Sequence, residues 1–315
     1  MKIFFMGTSE FAVEVFKVLL KSQFQDQIKG IVTQPDRACG RGRRIMPPPL
    51  KRFVLSENKE IPVFQPEKVN QREFVEFLKQ ESPDLIVVAA YGQILKREVL
   101  EIPKWGCINV HASLLPRYRG ADPIRWMLLR GEKEAGVSIM LMDEGMDTGP
   151  ILGQKALPIE VEDNYGSLTK KLGQIGGQEL LRVIPVWVSG GIKPTPQSEE
   201  EASYAPKIKK EMLRISWAKP ALEIINQVRA FAPTPGAFCY FRGRKVKVLK
   251  IRLEEDTTQS IQKPGTIVDI RKEGIVVSAL DKNLLVERLH PESKKPLYSW
   301  EFCCGYRLKT GERFE

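Results

Sequence analysis

DLIVVAAY, residues 84–91, is the stretch that decides the fold. It is an unbroken apolar run stopped at once by Gly92. A strand with one wet face would alternate polar and apolar residues, so this one is buried on both faces. Such strands belong to parallel sheets, whose crossovers lay helices over them. The neighbouring segments agree. Residues 2–6 (KIFFM) and 28–33 read as strands, with an amphipathic helix over 10–21 between them. Residues 70–80 read as a helix, with Asn70 as its cap and Glu73 completing a capping box. Residues 106–111 and 136–142 are two further strands, and 164–188 is helical. The expected class is α/β, a Rossmann-like mostly parallel sheet with helices on both faces.

Composition then shifts. Gly190-Gly191, Lys193-Pro194-Thr195-Pro196 and the acidic run at 199–201 mark a linker over 190–207. Beyond it, one helix (221–230) precedes short strand-like runs at 237–241, 245–251, 266–270, 274–279 and 284–289. Short strands separated by Gly and Pro turns predict a small C-terminal β-barrel of the OB type. The expected domains are therefore 1–189, which is catalytic, and 208–315, the barrel.

The apolar start is broken by Gly7, Thr8, Ser9 and Glu10, too early for a signal-peptide core, and no later stretch approaches a membrane span. A soluble, cytoplasmic protein without a membrane partner is expected, acting as a monomer. Five cysteines without a CxxC spacing suit reduced thiols, the adjacent Cys303 and Cys304 among them. Only two histidines are present, His111 and His290, so no metal site is expected.

The net charge of +10 favours a polyanionic partner, although a lysine-rich solvated surface would give the same total. What matters is clustering. Residues 34–52, QPDRACGRGRRIMPPPLKR, set Arg37, Arg41, Arg43, Arg44, Lys51 and Arg52 against one acid, Asp36. A mobile arginine-rich loop suits a phosphate backbone. Lys207, Lys209, Lys210, Arg214, Lys219, Arg229, Arg242, Arg244, Lys245 and Lys247 form a second cluster, and a basic barrel can track such a backbone without reading its sequence.

Two elements carry chemistry. In Asn109-Val110-His111 the outer residues project to one side of a strand, at the strand end where open sheets bind ligands. Alone, the pair fits a satisfied strand-end histidine as well as a reactive centre. Residues 136–152, GVSIMLMDEGMDTGPIL, run from a strand into a loop with Asp143, Glu144 and Asp147, the last between Gly145 and Gly149. Alone, that is an ordinary acidic turn.

Together, Asn-x-His, the following SLLP and the DEGMDTG loop resemble the folate-dependent formyltransferase family. The opening Gly7-Thr8-Ser9-Glu10-Phe11-Ala12 resembles that family's first motif. The resemblance implies a catalytic centre of Asn109, His111 and Asp147, with 10-formyltetrahydrofolate as formyl donor and no metal. The folate pocket implied is walled by Val88, Ala89, Ala90, Tyr91, Gly92, Ile94 and Leu95. The turn Ser113, Leu114, Leu115 and Pro116 completes it, with Met142 and Asp143. The substrate's own amine is the nucleophile, so no serine or cysteine nucleophile is needed. Asn109 and a protonated His111 would stabilise the oxyanion, and Asp147 would keep His111 protonated and help take the amine's proton.

Residues 34–52 resemble the loop that, in the methionyl-tRNA branch of the family, wedges into the acceptor end of initiator tRNA. The key arginine between two glycines maps to Arg41, supported by Arg37, Arg43 and Arg44. Ala38-Cys39 departs from the family's proline and alanine, which bears only on loop stiffness. Residues 215–238 resemble the family's carboxyl-terminal domain, which implies further tRNA contacts from Lys207, Lys209, Lys210, Arg242, Arg244, Lys245 and Lys247. The activity implied is formylation of methionyl-initiator-tRNA. The alternatives are a formyltransferase for a nucleotide-sugar amine or purine precursor, and an inactive RNA-binding relative.

Overall fold

The computed structural model describes residues 1–39, 42, 44–57, 60–256 and 260–315. Its first half runs β1 (Ile3–Gly7), α1 (Glu10–Leu20), β2 (Ile28–Val32), the hairpin β3 (Arg37–Cys39) and β4 (Arg44–Met46), α2 (Pro49–Ser56), β5 (Val63–Phe64), α3 (Arg72–Glu81), β6 (Leu85–Ala89), α4 (Arg97–Leu100) and β7 (Cys107–His111). α5 (Pro123–Leu129), β8 (Glu134–Leu141), β9 (Ile151–Pro158) and α6 (Tyr165–Val188) follow. The sheet order is β5-β2-β1-β6-β7-β8-β9. β5, β2, β1, β6 and β7 are parallel, whereas β8 and β9 are antiparallel to their neighbours. The chain divides into two compact units, the first comprising Met1–Pro123, Glu134–Pro158 and Thr169–Pro206.

Adjacent residues of β1 show that both faces of the sheet are covered. Phe5 packs on Phe16 of α1, with ring centroids 4.9 Å apart. Phe4 points the other way, 6.1 Å from Phe64 and 6.5 Å from Phe77 of α3. Helices therefore lie on opposite faces, as the parallel sheet requires. The Phe4 face continues through Ile86 and Cys107 by register, and its core includes Val69, Phe74, Leu78, Tyr91, Leu95 and Val99. Two and four residues beyond Cys107 on that face come Asn109 and His111. They are the polar end of an otherwise apolar surface.

One local expectation is corrected. α3 starts at Arg72, and Gln71 rather than Asn70 occupies its cap position, without a side-chain bond. The Asn70 side chain is spent elsewhere: its amide donates to Ile94 O at 2.8 Å and its oxygen accepts from Lys96 N at 2.9 Å. Tertiary partners outcompeted the local cap and pinned residues 94–96 instead.

The second unit comprises Ile124–Lys133, Ile159–Leu168 and Lys207–Glu315. It carries α7 (Ala221–Phe231), β10 (Ala237–Phe241), β11 (Arg244–Leu253), β12 (Ile267–Ile270), β13 (Ile275–Ser278), β14 (Asn283–Pro291), β15 (Leu297–Tyr298) and α8 (Ser299–Tyr306). The sheet order β10-β11-β14-β13-β12 is antiparallel throughout, with β15 on β14. Residues 313–315 join its two edges. Glu315 and Tyr240 exchange backbone bonds of 2.8 and 2.7 Å, while Phe314 N donates to Gly265 O at 2.9 Å. Phe314 also bridges Phe241, and Arg313 bridges Thr266. The sheet thus closes into the expected barrel, around the rings of Phe241, Phe302 and Phe314.

Each unit holds a deeply buried thiol, Cys107 in the first (1% exposed) and Cys239 in the second (0%). Among the described residues no helix is long and apolar enough to cross a membrane, and no group of His, Cys, Asp or Glu could hold a metal ion.

Candidate active site

Asn109 and His111 are 9% and 6% exposed. Burying such groups unbonded costs about 1–3 kcal/mol each, so their partners define the site. Asp147 supplies one for both: its Oδ1 accepts from Asn109 Nδ2 at 3.3 Å and lies 3.5 Å from His111 Nδ1. Its Oδ2 accepts from Gly120 N at 2.8 Å. His111 Nε2 meets the Tyr118 carbonyl at 3.0 Å. A carbonyl only accepts, so Nε2 carries a hydrogen and Nδ1 is the nitrogen left to trade a proton beside Asp147.

Asp147 arrives on the loop between β8 and β9, which folds back over the face from which Asn109 and His111 project. Asp147 has φ 56°, Tyr118 φ 61° and Ala90 φ 43°. Left-handed backbone at a non-glycine residue costs about 1–3 kcal/mol and persists only where its surroundings impose it. Here the fold imposes it tightly: a Cβ at Gly149 would collide with the Leu141 carbonyl oxygen. Asp143 closes the same loop from within, accepting from Gly145 N at 3.1 Å and Thr148 Oγ1 at 2.8 Å.

Sequence reading missed the residues behind this centre. Arg119, 0% exposed, is the largest fully buried side chain. A buried guanidinium must keep its hydrogen-bond partners. It donates to Glu199 through both terminal nitrogens at 2.9 Å and to Gln197 Oε1 at 3.0 Å. Nothing in PRYRGADP marks the second arginine as a core residue.

Of the implied pocket wall, Val88 lies directly beside Asn109 in the β6–β7 register. Ala89, Tyr91 and Leu95 are buried, whereas Ala90, Gly92 and Ile94 are exposed. Burial pushes the Tyr91 hydroxyl's pKa up, and the Tyr91 carbonyl accepts from Thr8 Oγ1 at 2.7 Å. Ser113 is wholly buried and donates to Arg117 O at 2.6 Å, closing the turn. Leu115 is buried, its N–H on Ser138 Oγ at 2.9 Å, while Leu114, Pro116 and Met142 are half-buried and Asp143 exposed. Of the implied wall, Ala90, Gly92 and Ile94 are thus the residues that reach solvent.

The basic residues divide. Arg37 and Arg44 are exposed on the β3–β4 hairpin, while Arg41 and Arg43 lie outside the described residues. At the hairpin's base Lys51 bonds Asp36 at 2.9 Å and holds its carboxyl below the usual range. In the second unit Lys207, Lys209, Lys210 and Arg244 are exposed, and Lys245 and Lys247 half-buried. Arg242 is paired with Glu312 at 2.6 Å and donates to Tyr306 O at 3.0 Å.

An α/β sheet whose β7 end meets a loop carboxylate in an Asn–His–Asp cluster places polar groups where open sheets bind ligands, and comparison with known proteins says which class of protein this is. Residues 1–184 match the family described as Formyl transferase, and residues 207–307 match the C-terminal domain of that family. The chain belongs to the formyl transferase family. More particularly, it is 44% identical to the methionyl-tRNA formyltransferase of Dictyoglomus thermophilum, across 100% of both chains. It is 40% identical to that of Geobacter sulfurreducens, over 99% of this chain and 96% of the other. Its fold is shared with HypX from Aquifex aeolicus, solved in complex with tetrahydrofolic acid: the TM-score is 0.67 at 17% identity, over 99% of this chain and 48% of that one.

Proposed function

We propose that this chain transfers the formyl group of 10-formyltetrahydrofolate to the free amino group of methionyl-initiator-tRNA. The observation that carries the reading is the convergence of Asn109 and His111, at the end of β7, on the Asp147 carboxylate, which lies 3.3 and 3.5 Å from them. The substrate assignment draws on relatives matched end to end that are methionyl-tRNA formyltransferases, and on the basic residues of the hairpin and barrel.

The donor supplies the formyl carbon that the methionyl amine attacks. Asn109 carries a second amide hydrogen beyond the one given to Asp147, free to meet charge developing on the formyl oxygen. His111, with Nε2 fixed on Tyr118, presents Nδ1 beside Asp147, and this pair moves the amine's proton directly or through water. Ala90, Gly92 and Ile94 form the surface against which the pterin lies, with Leu114, Pro116, Met142 and Asp143 around it. Arg37, Arg41, Arg43 and Arg44 hold the acceptor end. The barrel, residues 208–315, and Lys207 just before it follow the tRNA backbone, through Lys207, Lys209, Lys210, Arg242, Arg244, Lys245 and Lys247. The enzyme works in the cytoplasm as a monomer.

The test is formyl transfer from 10-formyltetrahydrofolate to initiator methionyl-tRNA, beside elongator methionyl-tRNA and a nucleotide-sugar amine. Preference for the initiator is expected. Transfer to the sugar alone would overturn the substrate, and tRNA binding without any transfer would overturn the activity.

A further inference from the structure

Residues 195–205 belong to the first unit and run along its β8–β9 loop and Arg119. Thr195 exchanges two backbone bonds with Ile151, 2.8 and 2.9 Å long. The Gln197 amide nitrogen donates to the carbonyls of both Asp147 and Gly149, at 2.8 and 2.7 Å, the two ends of the Asp-Thr-Gly turn. Its oxygen accepts from Arg119 Nε. Further along, Ser203 O accepts from Arg119 N and Ala205 N donates to Arg119 O, both at 2.8 Å.

Arg119 therefore stands at a junction. Tyr118, before it, bonds His111, and Gly120, after it, donates to the Asp147 carboxylate. Its own side chain grips the amide that holds the Asp147 main chain. With no exposed surface, Arg119 cannot meet a phosphate of the RNA. Nor would space-filling alone call for an amide with both hydrogens on the carbonyls of one turn, since a leucine has much the same volume.

We propose that Arg119 and Gln197 are positioning residues, which hold Asp147 in its left-handed backbone and so set its carboxylate against Asn109 and His111. The proposal rests on the reading of Asp147 as a group that acts in the transfer. Residues 195–205 are then a strap that completes the active site. Without Gln197 the turn would relax, and a misplacement of about 1 Å can cost roughly 100-fold in rate.

The test compares Gln197→Leu, Asp147→Asn and the double variant in formyl transfer to initiator methionyl-tRNA, with melting curves to establish folding. Gln197→Leu should lower kcat by about 10- to 100-fold while KM for both substrates stays within about twofold. Added to Asp147→Asn it should cost little more, because both changes remove the same carboxylate function. The pH–rate profile of Gln197→Leu should shift as well, which loss of packing alone would not cause. Arg119→Lys, which keeps the charge, should lose less than Arg119→Met and gives a second series should Gln197→Leu unfold. An unchanged kcat in folded Gln197→Leu, or a loss that multiplies in full with that of Asp147→Asn, overturns the proposal while leaving the catalytic reading intact. Full activity in Asp147→Asn would overturn that reading, and the proposal with it.

Discussion

The floor of the active site and the outer face of β10 and β11 treat polar groups in opposite ways. At the end of β7, His111 and Asn109 are sunk below the surface with fixed partners, and Arg119 lies behind them fully enclosed. On the barrel, Lys245 Nζ rides 3.6 Å above the Phe238 ring and Arg214 lies 5.4 Å from that of Tyr240, with the cations toward water. A buried polar group is tolerated in one arrangement only, so the first region fixes atoms. A half-exposed cation over a ring keeps its freedom, so the second fixes only a sign of charge and a set of flat surfaces. One suits bond-making and the other suits following a flexible polyanion.

That contrast can be broken by mutation. The largest expected effect is at the floor: His111→Ala should lower kcat by about 100- to 10,000-fold, with tRNA affinity in filter binding nearly unchanged. Equal losses in both would mean that the two regions are not separate. Gly149→Ala comes next, since its new methyl group would run into the Leu141 carbonyl and crowd the Met140 side chain. Overpacking of this kind costs about 1–3 kcal/mol, so a lower Tm and a reduced kcat should appear together. On the barrel, Lys245→Ala and Lys247→Ala should each weaken tRNA binding modestly and lower the slope of log affinity against log salt by about 1, with kcat at saturation intact. The smallest effect is at Glu199. Arg119 holds its carboxyl below the usual range, so the stability it adds is present at neutral pH and is lost as pH falls through that lowered value. Glu199→Gln should therefore melt slightly earlier at pH 7, and the gap should close in acid.

Much of this was legible beforehand, for identifiable reasons. The apolar run 85–89 could only be a doubly covered strand, and it is. Asn109, His111 and Asp147 stood out by residue type, strand parity and family resemblance, and the structure brings them together. The direction of β8 was not legible, because an apolar strand reads the same either way. β9 was missed because its half-exposed residues do not alternate. The basic stretch 34–52 reads as a loop, and its described part carries the β3–β4 pairing, which short runs rich in Arg and Gly do not announce. Arg119 and Gln197 were invisible, since an arginine reads as surface until its carboxylate partner is known to fold back from eighty residues away.

The two most deeply enclosed thiols make the chain its own reporter, with Cys303 a third buried one. Cys107 and Cys239 lie one in each unit, and burial pushes the pKa of both upward. Neither can meet an alkylating reagent until its own surroundings open, whereas Cys304 is exposed from the start. The order in which the two thiols become labelled as denaturant rises gives the order in which sheet and barrel come apart. Labelling at one rate would mean that they melt as a single cooperative body, and a ligand that slows only one thiol would mark the unit it grips.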